Sequence, residues 1–122
     1  MGDKARCAAC KTPLLPAAHP ISVQSAEDFD ELVGAAPIPV LVDFWAAWCR
    51  PCRAVAPQIE QLARDRTGGL VVAKVDTDAL PDIAGRFAIR SIPTMILFRG
   101  GKETKRVTGA MSASAVADQL AI

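Results

Sequence analysis

The stretch from Val40 to Val75 restricts the fold more than any other, because its hydrophobic period changes twice. Val40 to Trp45, VLVDFW, is nearly continuous in apolar, β-prone side chains, as expected of a strand buried on both faces. From Arg50 to about Arg66 the period lengthens, and Cys52, Val55, Ile59 and Leu62 recur every three or four residues as the stripe of an amphipathic helix. The glycines at 68 and 69 stop that helix, and LVVAKV (70–75) returns to strand composition. Strand, helix and strand with short links form a βαβ unit, whose crossover is right-handed almost without exception.

The rest of the chain elaborates this unit. SAED, Ser25 to Asp28, has the form of a helix N-terminal box, and Phe29, Leu32 and Val33 follow at helical spacing. Further on, a short helix is expected around Leu80 to Phe87 and a strand after Pro93 in SIPTMILF. RGGK (99–102) reads as a turn, leading to a short strand near Glu103 to Val107 and a closing helix from Ser112 through Val116 to Leu120. The sum is an α/β fold: a mixed sheet, parallel in its first half and ending in a hairpin, with helices on both faces. Residues 1–19 carry Pro13 and Pro16 without periodicity and read as an extended tail or small knuckle, which leaves 20–122 as the domain. With 122 residues, about half of them apolar, the chain can build one core and not two.

Charge excludes some partners. A formal net charge of +1, from 14 basic and 13 acidic residues spread along the chain, gives no reason to expect nucleic acid or an anionic membrane surface. The first twenty residues have no uninterrupted apolar run, and no stretch approaches the roughly 18 apolar residues of a membrane span. The expectation is a soluble, cytoplasmic protein. In that compartment thiols are kept reduced, so a CxxC pair points to catalysis or metal binding rather than to a structural staple.

There are two such pairs, Cys7/Cys10 and Cys49/Cys52. Only a thiolate attacks a disulfide, and a thiol of pKa about 8.5 is mostly protonated at neutral pH. The predicted second helix puts Cys49 at its N-terminus, where unpaired N–H groups and the helix dipole stabilise negative charge by about 0.3–2 kcal/mol. Cys52 follows one turn later, within reach and on the less exposed face, which suits a nucleophile and a resolving thiol. Pro51 fits the first turn, where its missing N–H costs nothing. The competing readings are an inert buried pair and half of a zinc site, whose further ligands would come from Cys7, Cys10 and His19. Asp43 and Lys74 each interrupt a buried strand, where an ionised carboxylate is costly unless paired. Spacing leaves two readings open: Asp43 relays protons to and from Cys52 while Lys74 moderates its charge, or it is a strand-end carboxylate facing solvent.

VDFWAAWCRPC, followed by AP, AKVDTD, IRSIPTMILF and VTGAMS, resembles the thioredoxin family in order and separation, over roughly residue 20 to the C-terminus. The resemblance implies a thioredoxin fold and a dithiol–disulfide oxidoreductase that needs no cofactor beyond its own disulfide. Its partners would be disulfide-containing client proteins and thioredoxin reductase, which recharges it from NADPH. It also implies site residues: Cys49 as nucleophile, Cys52 as resolving thiol, Asp43 as buried acid with Lys74 beside it, and Pro93 as a cis-proline next to the thiols. Trp48, Ile92, Gly109 and Ala110 match the apolar surface on which partners dock, and Pro57 matches a proline that kinks the second helix.

The chain departs from the family pattern twice. Arg50 stands where most members carry glycine, and a cation there favours the Cys49 thiolate, although an exposed side chain contributes only about 0–1 kcal/mol. RCAACKTPL is similar to the second of two CxxC motifs in the zinc knuckle of a bacterial subgroup, the zinc-binding second thioredoxins, but the first motif is missing. Cys7 and Cys10 cannot close a four-cysteine site within one chain. Three readings follow: a zinc shared by two chains in a homodimer, weak or no metal binding in a monomer, or a second redox pair. A different function class is also open, a redox-sensing docking module built on the same surface with zinc in its tail.

Overall fold

The computed structural model describes residues 19–122. The elements run β1 (Ile21–Ser22), α1 (Ala26–Ala35), β2 (Val40–Trp45), α2 (Arg50–Asp65), β3 (Val71–Asp76), α3 (Pro81–Arg86), β4 (Thr94–Arg99), β5 (Lys102–Thr108) and α4 (Ala113–Leu120). They form one five-stranded sheet in the order β1-β3-β2-β4-β5. β3 pairs in parallel with both β1 and β2, while β4 runs antiparallel to β2 and to its hairpin partner β5. The expected mixed sheet, parallel in its first half and ending in a hairpin, is therefore present.

Strand alternation sorts the core into two layers. Val40, Val42 and Phe44 of β2 face one side with Val71, Ala73 and Val75 of β3, covered by Phe29 and Val33 of α1 and Ile83 of α3. Leu41, Val72, Met95 and Leu97 face the other side, under Val55, Ile59 and Leu62 of α2 and Val116, Ala117 and Leu120 of α4. Each fully buried Leu, Ile, Val or Phe contributes about 1.5–3 kcal/mol of transfer free energy. The first layer is rich in aromatic contacts: Phe87 lies 5.3 Å from Phe98 and 6.2 Å from Phe44 between ring centroids, and Phe29 lies 5.7 Å from Phe98.

The helix start signals act as their residues suggest. Ser25 caps α1 by accepting the Asp28 N–H at 3.0 Å, and Asp28 Oδ2 accepts the Gln24 N–H at 2.9 Å. Ser112 caps α4 in the same way through the Ala115 N–H. Gln58 Oε1 of α2 accepts the Ala113 N–H at 2.9 Å, which ties the two helices of the second layer together. β1 has no counterpart among the expected elements. Two residues show no period, and this strand exists only through pairing with β3, extended by the Val23 N–H donating to the Lys74 carbonyl at 3.0 Å.

Candidate active site

The site is assembled at the end of β2. After Trp45 the chain turns, the Cys49 N–H donating to the Ala46 carbonyl at 3.1 Å, and α2 begins. Cys49 is its N-cap residue: extended at φ −85° and ψ 108°, with Sγ accepting the Cys52 N–H at 3.2 Å. A sulfur thus holds the position in which a serine or aspartate oxygen usually satisfies a free helix N–H. Pro51 lies in the first turn, as its sequence position suggests. Cys49 and Cys52 form a disulfide, with Cα atoms 5.2 Å apart. The exposure difference expected between them is slight, since Cys49 is 3% and Cys52 2% exposed. Both pack in a small cluster with Ala46, bordered by Trp45 and Ile92.

A second segment closes over the sulfurs. The Ile92–Pro93 peptide is cis, and the Ile92 carbonyl oxygen lies 3.7 Å from Cys49 Sγ. Pro93 is buried, and its carbonyl accepts the Gly109 N–H at 2.8 Å, so the loop after β5 borders this segment. Gly109 has φ +105°, a conformation that side chains other than glycine rarely adopt. Ala110 follows it, exposed. Trp48, on the other flank, is 68% exposed, and its indole Nε1–H donates to Asp78 Oδ2 at 2.9 Å. The 76–79 loop that carries Asp78 is itself anchored: the Thr77 N–H donates to the Trp45 carbonyl at 2.9 Å, and Asp76 Oδ1 accepts the N–H groups of Asp78 and Ala79.

The two charges inside the strands are neighbours across the sheet, although no ion pair joins them. Asp43 and Lys74 are direct partners in the parallel β2–β3 register, on the sheet face covered by α2, the helix that carries Cys52. Asp43 is 0% exposed, which overturns its reading as a solvent-facing carboxylate. Neither of its oxygens has a hydrogen-bond partner. Burial pushes its pKa up from 3.8 to about 6, and the positive charge of Lys74 opposes part of that rise. Lys74 reaches the surface, its Nζ 4.9 Å from the Trp45 ring centroid, and lines a cleft of about 310 Å³ with His19, Ser22, Glu60 and Arg64.

Sequence reasoning missed two residues at the site. Asp78 orients Trp48 across 30 positions. Arg53 donates from Nη1 to the Ala47 carbonyl at 2.7 Å, clasping the turn before Cys49. The first is a tertiary contact with no local signal, whereas the second follows from helix geometry, which returns residue 53 to the N-terminal face. Cys7 and Cys10 lie outside the described residues, and among those described no group of three or more His, Cys, Asp or Glu could hold a metal.

A disulfide-forming pair at a helix N-terminus, a carbonyl beside the first sulfur and a buried basic carboxylate under the same helix are suited to thiol–disulfide exchange. The thioredoxin family model matches residues 20–121. The chain is 46% identical over 94 residues to thioredoxin M-type, chloroplastic, of Zea mays, covering 77% of this chain and 56% of that protein. It is 53% identical over 78 residues to a bifunctional thioredoxin reductase/thioredoxin of Mycobacterium leprae, covering 64% of this chain and 17% of that protein. The match thus spans under two thirds of either relative. Among solved structures, a mutant thioredoxin from Halobacterium salinarum superposes with a TM-score of 0.77 at 32% identity, covering 88% of this chain and 91% of that one. With a family match over nearly the whole described chain and the same fold in a solved member, this chain belongs to the thioredoxin family.

Proposed function

We propose that this protein is a thiol–disulfide oxidoreductase that reduces disulfides in client proteins through Cys49 and Cys52. The observation that carries the reading is the N-cap geometry of Cys49, whose sulfur faces the Cys52 N–H and the Ile92 carbonyl. In the reduced protein the Cys49 thiolate attacks a client disulfide, forming a mixed disulfide and releasing one client thiolate. The Cys52 thiolate then attacks Cys49 Sγ, the Cys49–Cys52 disulfide forms, and the second client thiolate leaves. Two electrons have passed to the client, whose two sulfurs take up protons.

Asp43, with a pKa of about 6, has the strength to take the proton from Cys52 near neutral pH, and Lys74 keeps that pKa from rising further. Pro93 holds the Ile92 backbone beside Cys49, where client main chain would pair. Trp48, Ile92, Gly109 and Ala110 form the docking surface, and Arg50 and Pro51 shape the first turn of α2. Recharging falls to a thioredoxin reductase drawing on NADPH, a pairing supported by the M. leprae relative, whose name joins both activities. The exchange chemistry uses no metal, so any zinc at Cys7 and Cys10 would stand apart from it. The compartment most consistent with a dithiol kept reduced is the cytoplasm.

The test is reduction of a protein disulfide by pre-reduced protein, followed by counting free client thiols. Cys49→Ser is expected to abolish turnover, and Cys52→Ser to accumulate the mixed disulfide on Cys49. Undiminished reduction by Cys49→Ser would overturn the reading.

A further inference from the structure

We infer that the preferred clients of this site carry acidic side chains next to their disulfide, an assignment that rests on the reductase reading and adds a substrate class to it. Three arginines belong to the segments that carry Cys49 and the Ile92 carbonyl. Arg50 is the first residue of α2, directly after Cys49, and is exposed. Arg53 is exposed one turn later, with its guanidinium fixed on the Ala47 carbonyl at 2.7 Å, beside the turn that leads into Cys49. Arg90 is exposed two residues before Ile92, whose carbonyl oxygen lies 3.7 Å from Cys49 Sγ. Arg90 lies in the same bend-rich segment that leads into the Ile92–Pro93 peptide.

Two carboxylates stand nearby, hydrogen-bonded to neutral N–H groups and still charged. Asp78 Oδ2 accepts the Trp48 indole N–H, and Asp76 Oδ1 accepts the N–H groups of its own turn. Both belong to the 76–79 loop, whereas Arg50 stands at the start of α2 and Arg90 ahead of Ile92. Among the described residues the guanidiniums bridged to carboxylates are those of Arg86, to Asp30, and Arg106, to Glu103. The whole chain carries a net charge of only +1, so this is a local separation of charge rather than a general excess.

The helix N-terminus adds its own partial positive charge at the same place. A client with carboxylates beside its cysteines is therefore drawn in and oriented, whereas a lysine-flanked one is repelled. The arginines act on the chemistry as well. Carboxylates beside a client cysteine disfavour the departing thiolate, and docking against guanidiniums removes that penalty.

Two synthetic peptides test the assignment, each closed by one disulfide and identical except for three Glu or three Lys beside the cysteines. The pre-reduced full-length protein, freed of reductant, is mixed with each, and the second-order rate of Cys49–Cys52 disulfide formation is read by acid quench and thiol alkylation. The Glu peptide is expected to react about 10-fold faster at low ionic strength, and the ratio to fall toward one in about 0.5 M salt. Reading the ratio within each protein cancels any change in intrinsic thiol reactivity. Arg90→Glu, an exposed site with no bond to the thiol segment, is expected to lower the ratio several-fold, and Arg50→Gln with Arg53→Gln to lower it further. Equal rates, a faster Lys peptide, or a ratio unmoved by Arg90→Glu overturn the assignment and leave the reductase reading standing. Failure of both peptides to oxidise the protein overturns both.

Discussion

Cys49 works in the position of a capping residue, and that double duty ties its chemistry to local structure. As a thiolate its sulfur accepts the Cys52 N–H more strongly than a thiol would, so the helix start favours the reactive form. Asp43 is the opposite case, a charge that the fold tolerates at a cost. Its native pKa of about 6 stands above its ordinary 3.8, so between these values the native state holds the proton more often than the unfolded chain does. Stability therefore falls as pH rises through that window, and the penalty is complete above it. Asp43→Asn is expected to raise unfolding stability by about 3 kcal/mol at pH 8 and to change it little below pH 4, read by urea denaturation. A gain independent of pH would show that ionisation of Asp43 is not its source. The sequence made Asp43 and Lys74 legible as charges inside strands, but only the β2–β3 register shows them side by side. Asp78 had no such signal, because its partner Trp48 is distant in sequence.

Long apolar patterns made the larger elements readable, and their absence hid the smallest. α2 could be read from Cys52, Val55, Ile59 and Leu62, all of which are buried. Pro57 stands inside that helix and lacks the N–H that would reach the Arg53 carbonyl, yet the helix continues to Asp65 because its apolar stripe is held by the sheet. β1 has no stripe and depends on β3, so nothing local announces it. α1 shows how much one cap contributes. Ser25→Ala removes the acceptor of the Asp28 N–H and is expected to cost about 1 kcal/mol, a drop of about 3–6 °C in Tm, with redox activity unchanged. Calorimetry checks the first figure. A loss of activity at a temperature where the variant is still folded would show that α1 reaches the site through the layer it shares with Ile92.

At the scale of the molecule, the sheet is a partition. One side holds the phenylalanine layer under α1 and α3, and the other holds Asp43, Lys74 and the helix that begins at the sulfurs. Trp48 is the large hydrophobic exposed among the described residues, and a single indole beside a reactive centre is far below the roughly 1,200 Å² that a stable subunit interface buries. The full chain treated with a metal chelator is therefore expected to run as a monomer of 12.9 kDa in light scattering. A dimer that survives both the chelator and a thiol reductant would show an interface that needs neither metal nor disulfide. The partition also bears on how such a chain can diverge. Substitutions among Phe29, Phe44, Phe87 and Phe98 are judged by packing and ring contacts, so that layer is freer to drift as descendants trade one packing solution for another. The opposite layer answers to packing and proton chemistry together, and its history should be the slower of the two.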